Sequence, residues 1–159
     1  MVRKSTVLGL AMRAILAGMS ANVATASPGP PPPEYVSEIA KHVVPTLTQA
    51  TFNRYAGDFG DDLRVSLDGK EIASSKANWL ALERRRLGKV ERHVLGYTNG
   101  YDSILVLDRF DDRSDLPDIP TMHFDARYKT RAVQYQIGAD HMIHTILITQ
   151  VEGPLQTPK

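Results

Sequence analysis

An α+β fold is predicted for this chain, with a curved antiparallel sheet packed against N-terminal helices. Three observations carry that expectation. Apolar residues recur at helical spacing from Tyr35 to Tyr55 and again from Ala77 to Leu87. After Gly88 the period changes to two and stays there to Gln150. Elements of one type are therefore segregated along the sequence, which separates α+β from a βαβ parallel sheet. At 159 residues, 42% hydrophobic and 23% charged, the chain has the size and composition of one globular domain.

The elements follow in order. Val36, Ile39, Ala40, Val43, Leu47, Ala50 and Phe52 form the apolar stripe of a first helix. Pro45 cannot donate an amide hydrogen, so it kinks or splits that helix, and Gly57, Asp58 and Gly60 end it. Leu63 to Leu67 alternates as a half-buried strand, Asp68-Gly69 is a hairpin turn, and Lys70 to Ala73 returns. Ser74 and Ser75 are N-cap candidates for a helix running to about Leu87, and Gly88 stops it. Ala77, Leu80, Ala81 and Leu87 are expected inside, widened by Trp79 and Leu82. The Glu83 to Arg86 run is read as the solvated side.

Val90 to Thr98 and Tyr101 to Phe110 read as strands joined by a two-residue Asn99-Gly100 turn. Asp111 to Pro120 is a polar loop, and Met122 to Ile137 is extended with a break near Lys129-Thr130. Gly138-Ala139-Asp140 turns the chain into a last strand from His141 to Gln150. A twisted sheet with one wet face must cover the other, and the helices are the available cover. Strong curvature leaves a concave mouth between the two layers, suited to a small molecule.

The first residues read as an address. Arg3 and Lys4 lead, small apolar residues follow, and Ala24-Thr25-Ala26 presents the small side chains that a signal peptidase reads. Residues 1–26 are thus expected to be a secretory signal, giving a secreted or periplasmic protein. Arg13 interrupts the apolar stretch, and initiation at Met12 would turn it into the positive leader. Prolines at 28 and 30–33 make residues 27–33 an extended spacer. The domain is expected over residues 34–151 and a flexible tail over 152–159.

Charge and motifs exclude several classes. The chain carries 19 basic and 18 acidic residues, net +1; residues 1–33 hold three of the basic ones and no acid, so the remainder is net −2. That balance argues against nucleic acid as a partner. No uninterrupted apolar run reaches the roughly 18 residues of a membrane span, so no stable membrane insertion is expected. Without cysteine there is no disulfide, thiol nucleophile or thiolate metal site. A P-loop, a dinucleotide fingerprint, HExxH and a nucleophile elbow are all missing, so no cofactor is expected.

Five residues carry candidate chemistry. In Asp108-Arg109-Phe110-Asp111 the Arg109 and Asp111 side chains share a strand face, where they can orient a water or clamp an oxyanion, or simply form an ion pair. Tyr135 is in phase with Val133 and Ile137, so its hydroxyl can reach a pocket. His144 is in phase with Met142, Ile146 and Ile148 on the more apolar face, and imidazole titrates near neutrality. His141 and His144 would lie on opposite faces of a strand and cannot share one ion. His123 and Asp125 are two-thirds of a facial metal triad, but Arg127 follows and pairs equally well with Asp125. No metal is predicted.

The element order, together with Phe59 to Leu67 and Gly69, Leu95 to Arg109, and Tyr135 to Ile146, resembles the nuclear transport factor 2-like superfamily and its SnoaL-like group. The resemblance spans about residues 34–151 and implies a cone of curved sheet closed by helices. It brings with it ketosteroid isomerases, dehydratases, cyclases, epoxide hydrolases and non-catalytic modules, many of them dimers through the sheet's outer face. The epoxide hydrolases carry an Arg-x-Asp like Arg109 and Asp111, completed by an Asp on the last strand. Here His144 to Ile148 offers no such acid. The ketosteroid isomerase acid–base set has no residue-by-residue match. The expected function is binding of a small, mostly apolar ligand in the cone, with any chemistry being cofactor-free acid–base work. The alternative is a dimeric interaction module.

Overall fold

Helix α1 covers Glu34–Val43 and buries Val36, Ile39, Ala40 and Val43, the stripe its spacing requires. Each valine or isoleucine of that stripe contributes roughly 1.5–3 kcal/mol when fully buried, so the helix is held by this face more than by propensity. The chain breaks after Val43, just before Pro45, and resumes as α2 over Phe52–Gly57. The computed structural model describes residues 30–114 and 128–152. The expected leader, residues 27–29 of the spacer, the His123 and Asp125 pair and nearly all of the tail lie outside the described residues.

Strands β1 (Phe59–Leu67) and β2 (Lys70–Ala73) form a hairpin in which Leu67 pairs with Lys70. Asp68 and Gly69 both have positive φ, 49° and 79°, as a primed two-residue turn demands. Helix α3 (Lys76–Arg86) starts at Ser75, whose side chain accepts from the Asn78 amide at 3.2 Å. It ends before Gly88, whose φ of 74° continues no helix. The meander β3 (Val90–Asn99), β4 (Ser103–Asp112), β5 (Lys129–Ile137) and β6 (Ile143–Glu152) completes a six-stranded sheet in the order β2-β1-β6-β5-β4-β3.

Four of the five strand pairs are antiparallel, while β1 and β6 run parallel. The wholly antiparallel expectation is corrected there. Helix α3 carries the chain from one sheet edge to the other and launches β3 in the direction of β2. Three reversals then bring β6 back alongside β1. The sheet curves, and β3 bulges between Val94 and Gly96, which increases local twist. Leu63, Val65, Ile104, Val106, Val133, Ile146 and Ile148 line the inner face and pack with α1, Tyr55 and Trp79 as one core.

Three local expectations change. Trp79 is the buried residue of α3, with Glu83 and Arg86 half-buried beside it, while Ala77 and Ala81 are exposed. The reason is size and hydrogen bonding: the indole removes far more apolar area than alanine, and its N–H reaches the Tyr55 hydroxyl at 2.9 Å. The β3–β4 connection is longer than Asn99-Gly100. Asn99 pairs with Ile104, and the Gly100 amide donates to the Ser103 carbonyl at 2.7 Å. From Gly96 to Asn99 the two registers differ by an even step, so alternation there cannot choose between them; the Ile137 amide, donating to the Asp102 carbonyl at 2.8 Å, fixes the longer loop. Finally, the last strand begins at Ile143, and a register shift beside Ile137 places Ile143, fully buried, where the simple alternation put its neighbours.

Candidate ligand-binding cavity

A hollow opens between the end of α1, the C-terminal half of α3 and the inner face of β3 to β6. Its volume is about 60 Å³. On that scale a single water needs roughly 10–15 Å³. Val43, Pro45 and Leu47 form one wall, Trp79, Glu83, Arg86 and Leu87 a second, and Val90, Arg92, Phe110, Arg131, Val133, Tyr135 and Ile148 the sheet floor, with Tyr55 at the inner end.

Beneath the floor lies an ion triad. Asp108 is wholly buried on β4, opposite Arg131 on β5. Arg131 grips it with two bonds, Nε to Oδ1 at 2.9 Å and Nη2 to Oδ2 at 2.8 Å. Arg92 adds Nε to Oδ2 at 2.6 Å and turns Nη1 to the carbonyls of Val43 and Pro45 at 3.2 and 3.1 Å. Those carbonyls belong to the frayed end of α1, where cations are favoured. The Arg131 guanidinium lies over the Phe110 ring, 3.4 Å from its centroid.

A second group of charges closes the rim. Arg86 donates to Glu83 at 2.8 Å and to Asp112 at 2.6 Å. Burial works against its charge, yet the two carboxylates outweigh that and raise its pKa. Burial also pushes the Tyr135 phenol up and the Tyr55 phenol well up, Tyr55 with help from the Glu83 charge. Both hydroxyls therefore stay protonated near neutral pH and are not bases.

The structure divides the five sequence candidates. Tyr135 lines the hollow, and Asp108 sits just behind its floor. Arg109 and Asp111 do share a face, but it is the outer one, where Asp111 accepts from Arg113 at 2.8 Å and Arg109 lies over Tyr128. His144 is outside the cavity wall. Its ring fits between Gly60 and Gly138, with Asp62 Oδ1 2.5 Å from Nδ1 and Asp140 Oδ1 2.9 Å from Nε2. A carboxylate at each ring nitrogen requires both to donate, and the bonds to Asp140 and then Asp62 raise the His144 pKa. His141 stacks on Tyr35 instead, centroids 4.0 Å apart. Among the described residues no three ligand-type side chains are arranged so that they could hold one metal ion.

Arg92, Arg131, Trp79 and Tyr55 were not singled out as site residues from the sequence. A signal existed: Arg131 is in phase with Val133 and Tyr135, Arg92 with Val90 and Val94, and Asp108 with Ile104 and Val106. Three charged residues on apolar strand faces point to one buried ion cluster.

The architecture is that of the nuclear transport factor 2-like proteins, a helix-capped cone of curved sheet. Among similar solved structures is a ketosteroid isomerase candidate from Kribbella flavida, with a TM-score of 0.58 and 15% identity over 79% of this chain and 84% of that one. An LEH-like epoxide hydrolase from Mycobacterium tuberculosis follows at 0.56 and 14%, covering 75% and 86%. An NTF2-like protein of unknown function from Cytophaga hutchinsonii matches at 0.53 and 15%, covering 74% and 97%. No family model and no curated protein matches the sequence. At these identities the likeness establishes the fold and leaves the chemistry to the residues.

Proposed function

We propose that this protein binds a small, mostly apolar molecule inside its cone and holds it without converting it. The observation that carries the reading is the state of the cavity's polar groups. Tyr55, Tyr135 and the two floor arginines are protonated, whereas the wall carboxylate Glu83 is held by Arg86 and Asp108 lies behind two guanidinium groups. Acid–base turnover needs a free base within reach of the substrate, and none stands among the described wall residues. The leader supports binding after export, in the periplasm or outside the cell.

Native mass spectrometry of the protein made with its own leader tests both parts. A retained small molecule, on a chain beginning at Ser27, is the expected result. A ligand-free chain that no apolar compound stabilises against heat, or an uncleaved N-terminus, would overturn the corresponding part. Chemical conversion of a captured molecule by the purified protein would overturn the non-catalytic reading.

A second reading rests on the outer sheet face, where Leu105 and Leu107 on β4 and Leu147 and Val151 on β6 are exposed, to either side of β5. We propose this row as the seat of a homodimer. Sedimentation equilibrium should show a dimer that Leu107→Lys converts to monomer.

A further inference from the structure

We propose that the guest is a small organic carboxylate whose anionic head docks at Arg92 and Arg131 and whose apolar body lies against Leu47, Leu87 and Val90. This rests on the binding reading above and names its ligand class. Arg92 is the decisive residue. Its side chain is 9% exposed, its Nε and Nη1 are engaged, and its Nη2 is buried with no hydrogen-bond partner. Burying a charged donor without an acceptor is costly, so the position favours an occupant that brings an acceptor.

Charge points the same way. Around Asp108 there are two cations to one anion, so this end of the hollow carries a surplus positive charge. Arg86, at the rim, is already matched by Glu83 and Asp112. Positive floor and negative rim orient a carboxylate head-inward, away from Glu83. Planar guanidinium forks suit carboxylate oxygens, and Arg131 uses only Nε and Nη2 on Asp108. The limited volume restricts the body to a compact chain or ring.

The test is calorimetric titration of the intact protein with acetate, butyrate, hexanoate and benzoate, each beside its primary amide. At least one acid should bind saturably and at least tenfold tighter than its amide. Arg92→Lys keeps a cation beside Asp108 but removes the fork, and should weaken that acid about tenfold or more and its amide by less. Circular dichroism confirms that the variant folds. Amides binding as well as acids, or an unchanged acid affinity in Arg92→Lys, would overturn the carboxylate assignment while leaving a ligand cavity intact. If neither series binds, the carboxylate assignment falls; the binding reading falls with it only when neutral apolar compounds also fail.

Discussion

Two charge clusters sit toward opposite ends of the sheet, one on β3, β4 and β5 and the other on β1, β6 and the β5–β6 turn, and they differ in almost every physical respect. Asp108 with Arg92 and Arg131 is buried beneath the cavity, whereas His144 with Asp62 and Asp140 lies at the sheet end, where the imidazole is 32% exposed and the carboxylates more so. From Arg131 to Ile137 along β5 the separation is about 20 Å at roughly 3.3 Å per residue. The buried cluster is locked by geometry, since each bond is braced by strands and the end of α1. The exposed one is held by the close approach of two glycines and is open to the pH of its surroundings. The lesson is that the imidazole, the obvious acid–base residue in the sequence, marks the adjustable end of the fold, while the binding end is built from arginines.

The comparison breaks most decisively at Asp108. Asp108→Ala strands two guanidinium groups in the interior and should cost about 3–5 kcal/mol in urea denaturation. Asp140→Ala, at the surface, should cost far less; equal losses would erase the distinction between the two ends.

Gly60→Ala and Gly138→Ala probe the cradle. A Cβ at Gly60 would stand 2.6 Å from His144 Cε1, and one at Gly138 2.7 Å from Cδ2. Each should cost about 1–3 kcal/mol, and the penalty should shrink sharply in a His144→Ala background. Additive losses would mean that the ring is not what the new methyl meets.

The smallest effect is the pH dependence. The folded-state pKa of His144 is raised above 6.5, so its contribution is complete below 6.5 and is lost as pH rises through the raised value. That of Asp140 is lowered, chiefly by its bond to His144, so its contribution is present above 3.8 and is lost as pH falls through the lowered value. This end should be most stable between those limits. Melting temperature should decline from about pH 6 to pH 9 more steeply in the parent than in His144→Ala. Parallel curves would remove the histidine from the account.

Much of the fold was legible because its signals are local. The stripe of α1, the break before Pro45, the primed turn at Asp68-Gly69 and the Ser75 cap each depend on a few consecutive residues. The α3 face was misread because helical spacing alone does not say whether alanines or a tryptophan with a waiting hydroxyl win the interior. Tyr135 was singled out from strand phase and Asp108 as the start of the Asp108 to Asp111 run, and phase could have found Arg92 and Arg131 as well. Their meeting could not, since it joins β3, β4 and β5 at one register.

Sequence by itself determined the kinds of element, their order and which positions along most of the strands face inward, because periodicity and turn chemistry act over one or two turns of chain. Only the tertiary structure decided that β6 runs with β1, that two arginines share one aspartate, and that His144 lies at the sheet end instead of in the cavity. An even shift in strand pairing leaves every inward residue inward. It changes every neighbour, and neighbours are what set the charge and shape of a site.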